Sequence, residues 1–241
     1  MCDVSQRIQK PMNFAIIAAG DGERLVREGA LQPKPLLPLC GQPMMGRLLD
    51  IFVQCGAACI SIIVNERMAD VQRFVRDWQK SHPAVSLRVV VRSTPSSMHS
   101  LAALCDVMPD GPFICTTVDT VFKADEFERY VTEFQSGGFL FGVTPFVDDE
   151  KPLWVAADAN RRITAFCDEG PAPYVSAGIY GMERATIAPI LHKCLDMGRS
   201  RMRNFQRALL DEGIAIRAHV FDKVMDIDHL SDLKKAEAWL A

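Results

Sequence analysis

The stretch NFAIIAAGDGERL, residues 13–25, decides the fold of this chain. Its apolar part, Phe14 to Ala19, is short, uninterrupted and closed by glycine, which is typical of a buried strand. Gly20 and Gly22 then form a turn whose backbone can approach a ligand closely, because neither residue has a Cβ atom. A buried strand followed by a glycine turn can bind phosphate through backbone N–H groups.

Two cations accompany this turn. Arg24 lies inside the quoted stretch, and Lys34 follows it in a Lys34-Pro35 pair. The formal net charge of the chain is -3, so its overall charge indicates neither nucleic acid nor a membrane surface as a partner. Cations that bind phosphate must therefore act locally.

The composition is that of an ordinary globular protein. The chain has 241 residues, of which 49% are hydrophobic and 24% charged, which is enough for one large domain. Residues 1–12 contain no apolar segment of a secretory signal, and no later apolar run has the length of a membrane span. The eight cysteines form no C-x-x-C pair, and no histidine stands at metal spacing. We therefore expect free, mostly buried thiols and a cytoplasmic location.

Strand-like and helix-like segments alternate along the first half of the chain. The predicted helices are 43–56, 68–80 and 98–107, and the predicted strands after the first are 58–64, 87–91 and 111–118. This alternation predicts a Rossmann-like α/β protein, with a mostly parallel sheet covered by helices on both faces. Ligands of such sheets bind at the carboxyl ends of the strands, so residues 20–24, 93–100 and 118–120 should converge.

The second half is richer in strands. We predict strands at 139–145 and 174–180, a polar turn at 147–150, a hairpin of 154–158 with 162–167, helices at 185–195 and 202–211, a strand at 214–221 and a closing helix at 230–240. No segment has the composition of a linker, and no repeat is visible. One domain over residues 1–241 is expected, with a strand-rich insertion at about 139–180 over the ligand edge.

The glycine turn does not fit two better-known phosphate motifs. A dinucleotide fingerprint requires a third glycine where Leu25 stands, and a P-loop requires a Gly-Lys-Ser/Thr triplet that is missing. Taken alone, the turn could be a plain strand-to-loop connection.

Three aspartates are candidates for metal binding. Asp119 follows an apolar strand and should face the same sheet edge as Gly20, where a carboxylate can bind Mg²⁺ together with substrate phosphates. Asp226 and Asp228 flank Ile227, so strand alternation places both acids on one side. A cap of the following helix is the alternative role for Asp228, and a turn or cap is the alternative for Asp119.

These segments resemble a known family. AAGDGERL and PKPLLPLCGQPMM are similar to the signature of the sugar-phosphate nucleotidylyltransferase superfamily, the NDP-sugar pyrophosphorylases. RITAF at 162–166, SAGIY at 176–180 and the acidic segment at 226–237 resemble the later motifs of the same family in the same order. The resemblance implies a three-layer α/β/α sandwich of the nucleotide-diphospho-sugar transferase type.

The resemblance also implies an activity and a set of site residues. A Mg²⁺-dependent enzyme would join a nucleoside triphosphate to a sugar phosphate or similar phospho-alcohol and release pyrophosphate. The implied catalytic residues are Arg24 and Lys34, the metal ligands Asp119 with Asp226, Asp228 or both, the nucleotide-binding residues Ala18, Ala19, Gly20, Asp21, Gly22 and Ser100, and the acceptor-binding residues Asp168, Ser176, Ala177 and Gly178.

The chain departs from the family on the acceptor side. The family's Glu-Lys pair appears as Asp168-Glu169, so the lysine expected to bind the acceptor phosphate is missing, and Ser176 replaces an asparagine. Arg201, Arg203 and Lys223 are candidate replacement cations. Two other functions therefore stay open, namely a non-catalytic nucleotide-sugar-binding regulator and a nucleotide-sugar-dependent glycosyltransferase. Against the latter, Asp119 is not part of a D-x-D motif.

Overall fold

The computed structural model describes residues 10–148 and 151–241. Within these ranges the strands are β1 (Met12–Ala18), β2 (Pro38–Leu39), β3 (Gln42–Pro43), β4 (Ala57–Val64), β5 (Ser86–Val91), β6 (Pro112–Thr117), β7 (Thr120–Val121), β8 (Phe139–Thr144), β9 (Trp154–Ala157), β10 (Ile163–Cys167), β11 (Tyr174–Glu183), β12 (Ile216–Val220) and β13 (Met225–Asp226). The α-helices are α1 (Glu23–Arg27), α2 (Met44–Gln54), α3 (Ala69–Ser81), α4 (Ser97–Cys105), α5 (Ala124–Phe134), α6 (Arg184–Asp196), α7 (Met202–Asp211) and α8 (Leu230–Leu240).

A mixed sheet forms the centre of the molecule. Its strand order is β10-β9-β11-β6-β1-β4-β5, with β8 pairing β11 and β12. The strands β6, β1, β4 and β5 are parallel, and β11 runs antiparallel to β6. The predicted α/β class and mixed, mostly parallel sheet are therefore confirmed.

The first strand is buried on both faces, which explains its uninterrupted apolar sequence. Successive side chains of a strand point to opposite faces, and accordingly Phe14 and Ile16 join one hydrophobic core while Ala15 and Ile17 join the other. On the first side, the ring of Phe14 stacks on that of Phe52 from α2 at 4.2 Å between ring centroids. The two cores on opposite sides of one sheet give the three layers that the sequence predicts.

Most predicted elements are present with boundaries shifted by one to three residues. Helix α5 is the main omission from the prediction, although Phe127, Tyr130, Val131 and Phe134 stand at helical spacing and are buried. The short elements α1, β2, β3, β7 and β13 were also not predicted, because two to five residues are too few to show a periodicity.

One pair of these short strands positions the site. β13 pairs antiparallel with β7, which opposes Asp226 to Thr120, and the N–H of Ile227 donates to the carbonyl of Asp119 at 3.1 Å. Ile227 is fully buried, as the strand alternation predicts. The acidic segment near the end of the chain is thereby fixed beside the carboxyl end of β6.

The structure also bears on the cysteines, the predicted polar turn and the expected lack of a membrane span. The seven cysteines between residues 40 and 194 are free thiols, five of them buried, while Cys2 lies outside the described residues. Asp149 and Glu150 of the predicted polar turn also lie outside them. None of the helices in the described ranges combines the length and the apolar character that crossing a bilayer requires.

Candidate functional site

A cleft opens at the carboxyl ends of the parallel strands. Its volume is about 490 Å³, and it is lined by the segments that the sequence predicts to converge, namely residues 17–25, 94–97 and 117–119 with Lys34, Pro35, Ser100 and Asp228. All six residues predicted to bind the nucleotide are in this lining. We call this space the nucleotide cavity.

One position of the glycine turn favours glycine over any other residue. Gly22 adopts a left-handed conformation with φ of 63°, and a Cβ atom there would lie 3.3 Å from the Cβ of Lys34. A glycine therefore both relieves strain and lets the turn pack against the lysine. A Cβ at Gly20 would meet nothing within 4 Å.

Lys34 is at the centre of the charges in this cleft. Its Nζ forms an ion pair with Asp119 and another with Asp228 Oδ1 at 3.0 Å, while Asp228 Oδ2 is paired with Arg24 at 3.3 Å. Burial alone would lower the pKa of Lys34, but the carboxylates of Asp119 and Asp228 outweigh burial and raise that pKa well above its usual range. Lys34 therefore stays charged at neutral pH, in a position to bind an anionic phosphate.

Asp119, which lines this cleft, interacts with Asp226, which lines a neighbouring cavity. The hydroxyl of Thr120 donates to Asp226 Oδ1 at 3.2 Å and lies 2.7 Å from the hydroxyl of Thr117. Although Asp226 is reachable by solvent, desolvation within the cleft, together with the charge of Asp119, raises its pKa to about 8. The pKa of Asp119 is lowered instead, since Lys34 outweighs the effect of burial.

Asp119 and Asp226 are the candidate ligands for a divalent cation. Two carboxylates that repel each other are the arrangement that Mg²⁺ uses together with substrate phosphates. In residues 10–148 and 151–241 no group of three or more His, Cys, Asp and Glu side chains surrounds one point. Asp228, the third predicted ligand, has both carboxylate oxygens paired with Lys34 and Arg24. Asp228 does not cap the following helix either, because His229 is the N-cap of α8.

A second cavity adjoins the first. It has a volume of about 230 Å³, and both cavities are bounded by Arg24 and Asp228. We call it the acceptor cavity; its other lining residues are Thr144, Phe146, Asp148, Pro152, Val175, Ser176, Ala177, Val224, Met225, Asp226, His229, Ser231, Asp232 and Lys235.

The structure brings only part of the predicted acceptor set to this cavity. Ser176, which accepts a hydrogen bond from Gln206 at 3.1 Å, and the buried Ala177 are in its lining. Gly178 is at an irregular position of β11 with φ of 70°, and a Cβ there would lie 3.0 Å from the hydroxyl oxygen of Thr120. Its role is to leave space for Thr120.

Asp168 lies outside the lining of both cavities. Its carboxylate is paired with Arg203 at 2.6 Å and with Arg207 at 2.9 Å, which ties the end of β10 to α7. The pKa of Asp168 is lowered by hydrogen bonds from these two arginines. An acceptor could reach Asp168 only by competing with them.

Two of the candidate replacement cations are engaged with other groups, and a third lysine lines the acceptor cavity. Arg203 is engaged with Asp168, and the ammonium of Lys223 stacks on the ring of Phe146 at 4.2 Å. Lys235 of α8 lines the acceptor cavity and pairs with Asp148 and Asp232 at 3.2 Å each. No motif of the sequence singled out Lys235, because it lies among the solvent-facing residues of a helix.

Asn65 is a further residue that the sequence did not single out. It is buried at the end of β4, and its amide donates to the carbonyl of Ala19 at 2.9 Å and to Asp21 Oδ1 at 2.8 Å. Asn65 therefore holds the glycine turn in place beside β4. A polar residue that ends the apolar strand ACISIIV was the available signal.

A mixed sheet with helices on both faces and a charged cleft at its carboxyl edge is typical of α/β proteins that bind a ligand at that edge. The MobA-like NTP transferase domain matches residues 14–177 of this chain, and the chain belongs to that family. The resemblance to nucleotidyltransferases stated from the motifs is thereby confirmed.

Two curated proteins are similar in sequence. The bifunctional protein GlmU of Heliobacterium modesticaldum is 25% identical over 188 residues, which cover 71% of this chain and 38% of that protein. The CMP-5'-(3-aminopropyl)phosphonate synthase of Streptomyces rubellomurinus is 22% identical over 233 residues, which cover 92% of this chain and 36% of that protein. The chain thus spans little more than a third of the length of either relative.

A solved structure confirms the fold. The inositol-1-phosphate CTP transferase from T. maritima superposes with a TM-score of 0.78 at 17% identity, covering 97% of this chain and 99% of that one. This likeness supports the three-layer architecture of the nucleotide-diphospho-sugar transferase type.

Proposed function

We propose that this chain is a Mg²⁺-dependent nucleotidyltransferase that joins a nucleoside triphosphate to a small phosphorylated or phosphonate acceptor and releases pyrophosphate. The observation that carries this proposal is the junction of the two cavities at Arg24 and Asp228. Substrates bound on either side of that junction would bring their phosphates together next to Lys34, Asp119 and Asp226. Proximity of this kind accounts for much of the barrier lowering in transfer reactions.

The chemistry requires no general base. An oxygen of the acceptor phosphate attacks the α-phosphorus, and a new phosphorus–oxygen bond forms as the bond from the α-phosphorus to the β-bridging oxygen breaks. The electron pair of the broken bond leaves with pyrophosphate. A phosphomonoester has a second pKa of about 6, so its attacking oxygen is already anionic near neutral pH. The protein has to position the two substrates and neutralise their charges.

The cations of the cleft fit these tasks. Lys34 is nearly buried with a fixed positive charge, and its ammonium can bind the α-phosphate as negative charge develops. Arg24 is half-exposed and borders both cavities, so it can contact the triphosphate or the incoming acceptor. Asp119 and Asp226 would hold Mg²⁺, which neutralises phosphate charge when bound.

The acceptor is expected to be small. The acceptor cavity of about 230 Å³ holds Lys235, His229 and Arg24 among several carboxylates, which suits one phosphate or phosphonate group on a compact polar body. The similar proteins from T. maritima and Streptomyces rubellomurinus carry inositol-1-phosphate and an aminopropylphosphonate in their names. The free thiols support a reducing, cytoplasmic setting for the reaction.

A matrix of substrates tests the proposal. Each of CTP, UTP, dTTP, ATP and GTP is combined with sugar-1-phosphates, inositol-1-phosphate, phosphocholine and 3-aminopropylphosphonate, and pyrophosphate release is measured with Mg²⁺ and with EDTA. We expect release with at least one pair, and only when Mg²⁺ is present. Nucleotide binding without release for any pair would instead favour a non-catalytic regulator.

The variant Asp119→Asn tests the assignment of the carboxylate pair. It keeps the shape of the side chain but removes the charge that faces Lys34 and Asp226, and we expect pyrophosphate release to fall by about 100-fold or more. The matched control is Asp77→Asn, which removes the carboxylate of an exposed residue that pairs with Lys80 on α3, outside both cavities. Unchanged turnover by Asp119→Asn would contradict the assignment.

A further inference from the structure

The nucleotide cavity has two ends of different chemistry. In the strand order β6-β1-β4-β5, Asp119 follows β6 and is paired with Lys34. Residues 94–97 come after β5, and Ser100 of α4 is hydrogen-bonded to Thr94. Adjacent strands are about 4.8 Å apart, so the two ends are separated by about 10 Å. If the proposed function holds, the phosphates occupy the charged end and the nucleobase occupies the other, which we call the base end. The inference below rests on that assignment.

Asp21 is held at the base end. Its Oδ1 accepts a hydrogen bond from the side-chain amide of Asn65 at 2.8 Å, and Asn65 is at the end of β4, on the side of β1 away from β6. Asp21 is in the lining of the nucleotide cavity. Its carboxylate, which is exposed to solvent, is therefore anchored on the β4 side of this cavity.

The orientation of this carboxylate is fixed by a buried side chain. Asn65 is 1% exposed, and its carbonyl oxygen accepts from the N–H of Arg67 at 2.9 Å and from the hydroxyl of Ser93 at 3.0 Å. Its side-chain N–H groups donate to the carbonyl oxygen of Ala19 and to Asp21 Oδ1. All four hydrogen-bonding positions of the Asn65 side chain are therefore used. Such an amide cannot turn over without losing bonds, and it holds Asp21 Oδ1 in one place.

The second carboxylate oxygen is available to a ligand. Asp21 Oδ2 has no hydrogen-bond partner in the part of the chain that the structure describes. Three of the hydroxyls at this end are already engaged: Thr94 with Ser100 at 2.6 Å, and Ser96 with His99 Nδ1 at 2.9 Å. Among the described lining residues at the base end, Asp21 alone carries a formal charge.

We propose that Asp21 is a specificity-determining residue that selects a nucleobase bearing an exocyclic amino group. An ionised carboxylate can only accept hydrogen bonds, and cytosine, adenine and guanine present an NH₂ group to such an acceptor. Uracil and thymine present a carbonyl at the corresponding position, whose lone pairs would face the carboxylate. Since Asp21 is exposed to solvent, the discrimination comes from this lone-pair repulsion and from the lost charge-assisted hydrogen bond.

Equilibrium binding tests this inference separately from turnover. CTP, ATP, GTP, UTP and dTTP are each titrated calorimetrically into the full chain with Mg²⁺ and without acceptor, so that no transfer can occur. We expect at least one amino-bearing triphosphate to bind about tenfold or more tightly than UTP and dTTP, the ratio expected for one hydrogen bond to a charged group. Asp21→Asn can donate as well as accept, and it should reduce this ratio to within about threefold.

The matched control is Asp77→Asn on α3. Asp77 pairs with Lys80 at 2.8 Å and is outside the lining of both cavities, so removing its charge should leave the preference among bases unchanged. Asp21→Glu should retain part of the preference. Equal affinity of the wild type for all five triphosphates, an unchanged preference in Asp21→Asn, or no binding at all would overturn the inference. Selective binding without pyrophosphate release would overturn the proposed function and support the role of Asp21.

Discussion

Lys34 connects the two halves of the cleft at the scale of single residues. Its ammonium is paired with Asp119 from the end of β6 and with Asp228 from the segment before α8, and its Cβ packs against Gly22. In the absence of substrate it neutralises carboxylates. A triphosphate is a stronger anionic partner for the Lys34 ammonium. We therefore expect Lys34 to stabilise the negative charge that develops on the phosphates during transfer.

Replacing Lys34 by alanine should therefore affect turnover more than binding. We expect kcat to fall by about 100- to 1,000-fold while KM for the nucleotide changes by less than about fivefold. Steady-state kinetics of pyrophosphate release measure both values. The matched control is Lys80→Ala, because Lys80 is an exposed lysine that pairs with Asp77 on α3. A large rise in KM with unchanged kcat would show that Lys34 serves ground-state binding only.

At the scale of elements, two strands of two residues each assemble the carboxylates. β7 and β13 oppose Thr120 to Asp226, and the irregular position of β11 at Gly178 leaves the space in which Thr120 stands. The hydroxyl of Thr120 then donates to Asp226. The position of Asp226 thus depends on Gly178 of β11, which has no side chain, because Gly178 leaves the space for Thr120.

Gly178→Ala should be costly for this reason. The new Cβ would be both strained, at φ of 70°, and 3.0 Å from the hydroxyl oxygen of Thr120. Gly198 is a matched control, since it has φ of 71° but no atom within 4 Å of a Cβ. We expect the free energy of unfolding to fall by about 1 kcal/mol in Gly198→Ala and by about 2–3 kcal/mol in Gly178→Ala.

Urea unfolding of both variants measures this difference. Pyrophosphate release should decrease only in Gly178→Ala, because only that change displaces a partner of Asp226. Equal losses of stability in the two variants would mean that Thr120 moves aside without cost.

At the scale of the whole molecule, the cleft is a place where function opposes stability. The folded chain holds Asp226 near Asp119, and desolvation together with that charge raises the pKa of Asp226 from 3.8 to about 8. The folded state therefore binds this proton more tightly than the unfolded chain does. The resulting stabilisation is fully present below about pH 4 and is lost as the pH rises through about 8.

Asp226→Asn should remove this dependence. The amide resembles the protonated acid, so we expect the variant to exceed the wild type in free energy of unfolding by about 1 kcal/mol at pH 8.5 in EDTA, a modest value because solvent screens the repulsion. The two proteins should be alike near pH 4. Urea unfolding at both pH values measures the effect, with Glu169→Gln as the control. A variant less stable than the wild type at pH 8.5 would contradict this expectation. It would show that the hydrogen bond from Thr120 to ionised Asp226 stabilises the fold more than repulsion from Asp119 destabilises it.

Much of the fold was predictable because the apolar pattern of most segments matches the helix or strand that the segment forms. Runs such as AACISIIV are apolar, contain β-branched residues and end at polar residues, and segments such as ADVQRFVRDWQKS have apolar residues at helical spacing. The convergence of Gly20, Asp119 and Ser100 followed from the rule that parallel strands share a carboxyl edge. Local periodicity could not reveal β7 or β13, which are held by partners about a hundred residues away.

The sequence by itself determined the class of sheet, the glycine turn, the cations Arg24 and Lys34 and the aspartates available to the cleft, because each is written in a short contiguous pattern. Only the tertiary structure decided which partners these groups take. It paired Asp228 with Lys34 and Arg24, paired Asp168 with two arginines of α7, brought Lys235 to the acceptor cavity and anchored Asp21 to Asn65. The physical reason is that charge pairing and hydrogen bonding depend on distances in space, and separation along the chain carries no information about those distances until the sheet is assembled.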